Sequence, residues 1–157
     1  MAELITSVQE DFKDRVLPTI ELVVTNVVGH WCFDTMRRAV ENLVSNAVNY
    51  GDGSTIRIQS VETRERLFAS VHNSGNPLLP KQLDQMFDYA QRGPHSVGLG
   101  WGIGLPFVKR AAGEHGGCVT VNSSAASGTT FLITIPINCR PFIASSAKPT
   151  VEPVSQT

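Results

Sequence analysis

The sequence is poor in the features that would carry a chain out of the cell or into a membrane. Its three cysteines, Cys32, Cys118 and Cys139, stand far apart with no paired spacing; this argues against a disulfide framework and for reduced thiols in a cytoplasmic setting. His30-Trp31-Cys32 and His115-Gly116-Gly117-Cys118 bring histidine and cysteine together, but neither makes a four-ligand set at zinc spacing. Apolar runs such as Ile20-Glu21-Leu22-Val23-Val24 fall far short of the roughly 20 residues of a membrane span, and Met1-Ala2-Glu3 lacks a basic leader. Charge is also nearly absent in net terms, with 13 Lys+Arg against 14 Asp+Glu. Such a balance gives no footprint for nucleic acid or for an anionic membrane surface.

What is present is the composition of an ordinary globule, 41% apolar and 17% charged, at 157 residues the size of one domain. Periodicity predicts a helix from Ala2 to Phe12, through Leu4, Ile5, Val8 and Phe12, and a β-branched strand from Thr19 to Thr25. With Asp34 as N-cap, a long helix follows, whose apolar stripe is Met36, Val40, Leu43, Val44 and Ala47, ending near Tyr50–Gly51. Strands at 55–61 and 67–72 read as a hairpin. A polar loop, 73–97, is broken by a short periodic piece, Leu83, Met86 and Phe87. The glycine-rich run Gly98–Gly104 opens a helix with Pro106 in its first turn, closing at His115-Gly116-Gly117. Strands at 118–122 and 129–135 complete the pattern. The expected fold is α/β (α+β), a two-layer sandwich with a mixed, mostly antiparallel sheet and helices on one face. Residues 1–136 form the expected domain and 137–157, rich in Pro, Ser, Thr and Ala, an expected disordered tail.

Three features carry chemistry. Asn42, Asn46 and Asn49 lie in the long helix although Asn is a weak helix former. At about 100° per residue, Asn42 and Asn46 stand roughly 40° apart beside the apolar stripe, where they can border a cavity. An amide oxygen is a neutral, hard ligand of the kind Mg²⁺ accepts alongside water and phosphate; an Asn-rich polar flank would look the same. In Val71-His72-Asn73-Ser74-Gly75-Asn76-Pro77, Asn73 can bond a purine edge and Gly75 lets a flat base approach the backbone, or the segment is a plain turn. In Gly98-Leu99-Gly100-Trp101-Gly102-Ile103-Gly104-Leu105, successive N–H groups at a helix N-terminus suit a polyphosphate. No strand precedes that run and no Gly-Lys-Ser/Thr follows, so it is neither a dinucleotide fingerprint nor a P-loop; a glycine hinge is the bland alternative.

In this order and spacing the three resemble the N, G1 and G2 boxes of the histidine-kinase branch of the gyrase, Hsp90, histidine kinase and MutL superfamily. The stretch from Arg38 to Tyr50 is similar to the N box, Met86 to Arg92 to the F box, Gly100 to Leu105 to the G2 box, and His115-Gly116-Gly117 with Gly128-Thr129-Thr130-Phe131 to the closing strands. The likeness spans about Ala2 to Pro136. It implies ATP and Mg²⁺ as cofactors, with Asn46 holding the metal, Asn42 assisting at the phosphates and Arg92 a phosphate contact, these three forming the catalytic set. It also implies Tyr50 against the nucleotide, Phe87 anchoring a lid shaped by Gly100, Gly102 and Gly104, and Thr129 supporting the adenine end.

The superfamily's hydrolases place a Glu four residues before the Mg²⁺-binding Asn. Here that position is Asn42, which cannot accept a proton, and Glu41 is rotated by about 100° to another face. Phosphoryl transfer to a histidine on a separate helical-hairpin domain, in cis or in trans, is therefore expected, with a response regulator as indirect partner. The full-length parent is compatible with a membrane anchor. Departures are Asn73, where the family most often has Asp, which predicts weaker or less selective base binding, and the absence of an acceptor: His30, His72, His95 and His115 are poorly placed. The chain by itself is expected to bind nucleotide without phosphorylating itself. A nucleotide sensor or pseudokinase is the alternative expectation, and a slow ATPase a third.

Overall fold

A computed structural model describes residues 1–14, 18–87 and 104–146, with side chains up to residue 143. Its elements are α1 (Ala2–Lys13), β1 (Ile20–Val24), α2 (Phe33–Tyr50), β2 (Ile56–Glu62), β3 (Arg66–Asn73), α3 (Pro80–Gln85), α4 (Gly104–Glu114), β4 (Cys118–Ser124), β5 (Gly128–Pro136) and α5 (Arg140–Ser146). The strands form one sheet in the order β1-β2-β3-β5-β4. β1 and β2 run parallel across the α2 connection, and every other pair is antiparallel.

Alternation in the strands decides which face is dry. Ile56 and Ile58 of β2, Leu67, Ala69 and Val71 of β3, and Phe131, Ile133 and Ile135 of β5 are buried together. Against them lie Leu4, Ile5 and Val8 of α1, the α2 stripe with Ala39 added, and Leu105, Val108, Ala111 and Ala112 of α4. The opposite sheet face carries the Arg57–Glu21 ion pair, 2.9 Å, and a His72 Nδ1 to Thr130 Oγ1 hydrogen bond, 2.9 Å. The two-layer sandwich expected from the pattern is the fold observed, with α1, α2 and α4 on one face.

Two local expectations are corrected. Asp34 is not the N-cap of α2: the helix starts at Phe33, two residues earlier than that cap implies, Cys32 occupies the cap without a side-chain bond, and Asp34 sits in the first turn, where its charge suits the helix dipole. Residues 137–146 are not disordered. His30 N–H donates to Ile137 O at 2.8 Å and Cys139 N–H to His30 O at 2.8 Å, Cys139 is fully buried, and α5 follows with Ile143 against the core. That docking is made by a partner more than 100 residues away, so local composition does not show it.

Candidate functional site

The central residues are on two neighbouring helices, α2 and α4, which pack against each other at Asn42 and Gly104. Asn42 Nδ2 donates back to Arg38 O, one turn earlier, at 2.8 Å. This aims the amide oxygen across the helix gap, and a Cβ placed on Gly104 would stand 2.8 Å from Asn42 Oδ1. Gly104 is thus the residue whose missing side chain admits Asn42 to the N-terminus of α4. One turn along α2, the Nδ2 of half-buried Asn46 is buried with no hydrogen-bond partner among the described residues. Native structures rarely leave such a donor orphaned, because its desolvation goes uncompensated. A phosphate oxygen would satisfy it, and the same amide turned over presents Oδ1 to a metal. Among the described residues no group of three His, Cys, Asp or Glu side chains could hold a metal ion. A cation at this place would depend on an amide and on phosphate oxygens, the donor set that suits Mg²⁺.

The second region is the end of the sheet where β3 stops. Asn73 is 6% exposed, donates from Nδ2 to Ser74 O at 3.0 Å, and has no partner at Oδ1 among the described residues. It pairs in register with Thr129 of β5. Thr129 is 5% exposed, and its hydroxyl meets Ser123 Oγ at 2.7 Å, which also accepts Leu78 N–H at 2.9 Å. Gly75 has φ +142°, and a Cβ there would press on Tyr50 O and Asp52 N at 3.3 and 3.2 Å. The glycine therefore lets the strand exit close over the C-terminus of α2, where Asp52 N–H bonds Ser74 O at 3.1 Å. Asn49 is exposed, and Tyr50, 59% exposed, borders a cleft of about 650 Å³ shared with Gly51, Asp52, His72, Gly75 and the β4–β5 turn. The Asp52 carboxyl is held below its ordinary range by the Ser54 hydroxyl and then the Ser54 N–H.

Phe87 stands edge-on to Phe131 with ring centroids 6.5 Å apart, anchoring the chain after α3 on the core. Leu105 is buried in the core, so its side chain packs between helices and sheet. Arg92, Gly98, Leu99, Gly100, Trp101, Gly102 and Ile103 lie outside the described residues. The structure thus brings Asn42 against Gly104, with Asn46 one turn further along α2, and separately pairs Asn73 with Thr129 and sets Gly75 against Tyr50.

A model of the histidine kinase-, DNA gyrase B- and HSP90-like ATPases matches residues 33–138. The chain belongs to this family. It is homologous to sensor histidine kinases: 40% identical over 107 residues to the sensor histidine kinase CusS of Escherichia coli K12, and 33% over 115 residues to the sensor protein SrrB of Staphylococcus aureus. Those alignments cover 64% and 69% of this chain but 22% and 19% of the relatives, so the chain spans about a fifth of their length. In fold it is similar to the catalytic domain of the histidine kinase ThkA, with TM-score 0.76 at 24% identity over 89% of this chain and 94% of that one. The mycobacterial sensor histidine kinase MprB gives 0.72 at 24%, over 87% and 93%.

Within this histidine-kinase-type ATPase domain two contacts escape sequence reasoning. His115, 1% exposed, spends both ring nitrogens: Nδ1 donates to Ala111 O at 2.7 Å, and Nε2 accepts Cys32 N–H at 3.0 Å. The C-terminus of α4 is thereby joined to the start of α2, a link between residues 83 apart that no local pattern signals. Glu41, the carboxylate nearest the amides in sequence, bonds Arg37 at 2.6 Å, and Arg37 also holds Asp11 of α1. No helix among the described residues is long and apolar enough to cross a membrane.

Proposed function

We propose that this domain binds Mg·ATP between α2 and α4 and donates the γ-phosphoryl group to a histidine of a separate helical-hairpin domain, as one step of two-component signalling. The observation that carries the reading is the approach of Asn42 Oδ1 to the cradle left by Gly104, one turn from the orphaned Asn46 amide. A helix N-terminus offers N–H donors and a partial positive charge to phosphates. Asn46 would take the metal, Asn42 the phosphates, and Arg92 with the 98–103 run the remaining phosphate contacts. Asn73 Oδ1 is the acceptor for an adenine amino group, with Thr129 behind it and Phe87 holding the start of the lid.

Transfer fits the chemistry better than hydrolysis. Water needs a base, and the position facing the phosphates is an amide, while Glu41 is committed to Arg37. Transfer asks for less: the acceptor nitrogen forms its bond to phosphorus as the bond to the β,γ-bridging oxygen breaks, and ADP leaves with that electron pair. When bound, Mg²⁺ supplies neutralisation of charge on the phosphate oxygens. The chain's own part is to hold the nucleotide and leave its γ end open to a partner.

Incubation with γ-labelled ATP and a histidine-bearing hairpin domain, with calorimetric titration of a non-hydrolysable ATP analogue, tests this. Label on histidine together with binding that requires Mg²⁺ is the expected result; no binding would refute it. Binding without transfer would favour a nucleotide sensor, the reading to which the neutral Asn73 lends support.

A further inference from the structure

Beside the proposed phosphate site, two cations share one aromatic ring. The guanidinium of Arg38 lies over Phe107 at 5.1 Å and that of Arg110 at 5.6 Å. Arg38 is one turn before Asn42 on α2, and Phe107 is one turn into α4 from Gly104, so the cluster flanks the junction where those helices meet. Its charges are only partly answered. Arg37, the neighbour of Arg38, is paired to both Asp11 and Glu41, whereas Arg38 has no carboxylate partner among the described residues. Arg110 reaches Glu114 at 3.6 Å in a largely exposed pair, a contact of little strength, and Lys109 beside it is exposed. Next to Arg38 opens a cleft of about 290 Å³, bordered also by Asp11, Phe12, Glu41, Asn42 and Ser45, with both of its carboxylates paired to Arg37 and not to Arg38.

Each guanidinium gains from the ring face by itself, and together they leave two like charges on one ring. The aromatic face holds both guanidiniums in fixed places, which lowers the entropy lost when an anion arrives. The net charge of −1 makes a polyanion such as nucleic acid a poor match.

We infer that Arg38, Phe107 and Arg110 form the docking surface for a carboxylate-bearing helical segment of the phosphoryl acceptor, which the arginines hold beside the open γ end. This rests on the transfer reading above and names the chemistry of its partner. An arginine fork donates two parallel hydrogen bonds to a carboxylate, and complementary charge at a rim sets register and encounter rate.

The test uses a synthetic helical peptide with one central histidine flanked by glutamates, a second with glutamines in their place, and the full chain without nucleotide. Fluorescence anisotropy is expected to show the glutamate peptide binding, about tenfold weaker in Arg38→Glu/Arg110→Glu and in the milder Arg38→Gln/Arg110→Gln, and weaker again at high salt. The affinity of a fluorescent ATP analogue should stay the same in these variants. No binding of the glutamate peptide, equal binding of the glutamine peptide, or indifference to both double variants would overturn the assignment. So would a parallel loss of nucleotide affinity, which would put Arg38 among the phosphate contacts. A wild-type chain that binds the peptide but no nucleotide would instead refute the transfer reading while upholding the charge-complementary surface.

Discussion

Gly104→Ala should separate stability from function. A Cβ there would lie 2.8 Å from Asn42 Oδ1 and 3.4 Å from its Cγ. The nearer atom is the tip of a side chain, so the amide swings aside and breaks its 2.8 Å bond to Arg38 O, a loss of about 0.5–1.5 kcal/mol. Against this, alanine is better than glycine in a helix by about 0.8–1 kcal/mol in an interior position, and less in the first turn. The two nearly cancel, and the melting temperature should move by no more than about 4 °C. Nucleotide binding has no such compensation. A displaced Asn42 forfeits a hydrogen bond to a charged group, about 1.5–3 kcal/mol, or roughly 10- to 150-fold in Kd. Differential scanning fluorimetry and titration calorimetry with a non-hydrolysable ATP analogue read the two quantities. In an Asn42→Ala background the added methyl meets no oxygen, and Gly104→Ala should then cost little further. Wild-type affinity in Gly104→Ala, or simple additivity of the two changes, would refute the reasoning.

Asn46→Leu should raise stability by about 1 kcal/mol in chemical denaturation, since it removes an orphaned buried donor, while Mg²⁺-dependent nucleotide binding disappears. His115→Phe leaves the partly buried Cys32 N–H unpaired and should cost about 1–2 kcal/mol in the same assay. Asn73→Asp should increase the preference for ATP over GTP in competition binding, because a carboxylate accepts from an amino group and repels a carbonyl. Thiol labelling at pH 8 should modify exposed Cys118 quickly and Cys139 only on unfolding, since burial pushes the Cys139 thiol up to about 11. Its folded value being raised above the ordinary 9.0, the unfolded thiol ionises first, and stability should fall as pH rises between those values.

Much of this was legible because it is written in local periods. The α2 stripe of Met36, Val40, Leu43, Val44 and Ala47 is buried as the helical spacing requires, and it places Asn42 and Asn46 at the edge of the core. Phe131, Ile133 and Ile135 alternate into the same core. What sequence could not show is settled by distant partners: the start of α2 is decided by His115, and α5 is held by the backbone of His30. The orphaned state of Asn46 Nδ2 is also invisible in sequence, since it depends on what surrounds the amide. Cation stacking on Phe107 brings together residues from two helices whose own patterns name no partner.

The bond between Cys32 and His115 has a mechanical consequence. Because α2 begins where α4 ends, the two antiparallel helices share a pivot, and for a given tilt the displacement is smallest there and largest at the far end of α4. With 11 residues at about 1.5 Å each, the lever from His115 to Gly104 is about 16 Å, and a tilt of about 5° shifts its tip by about 1.4 Å. That travel is enough to make or break a hydrogen bond at Asn42, so a small angular change in α4 would alter the α2–α4 junction while leaving the Asn73–Thr129 pair, built on the sheet, in place.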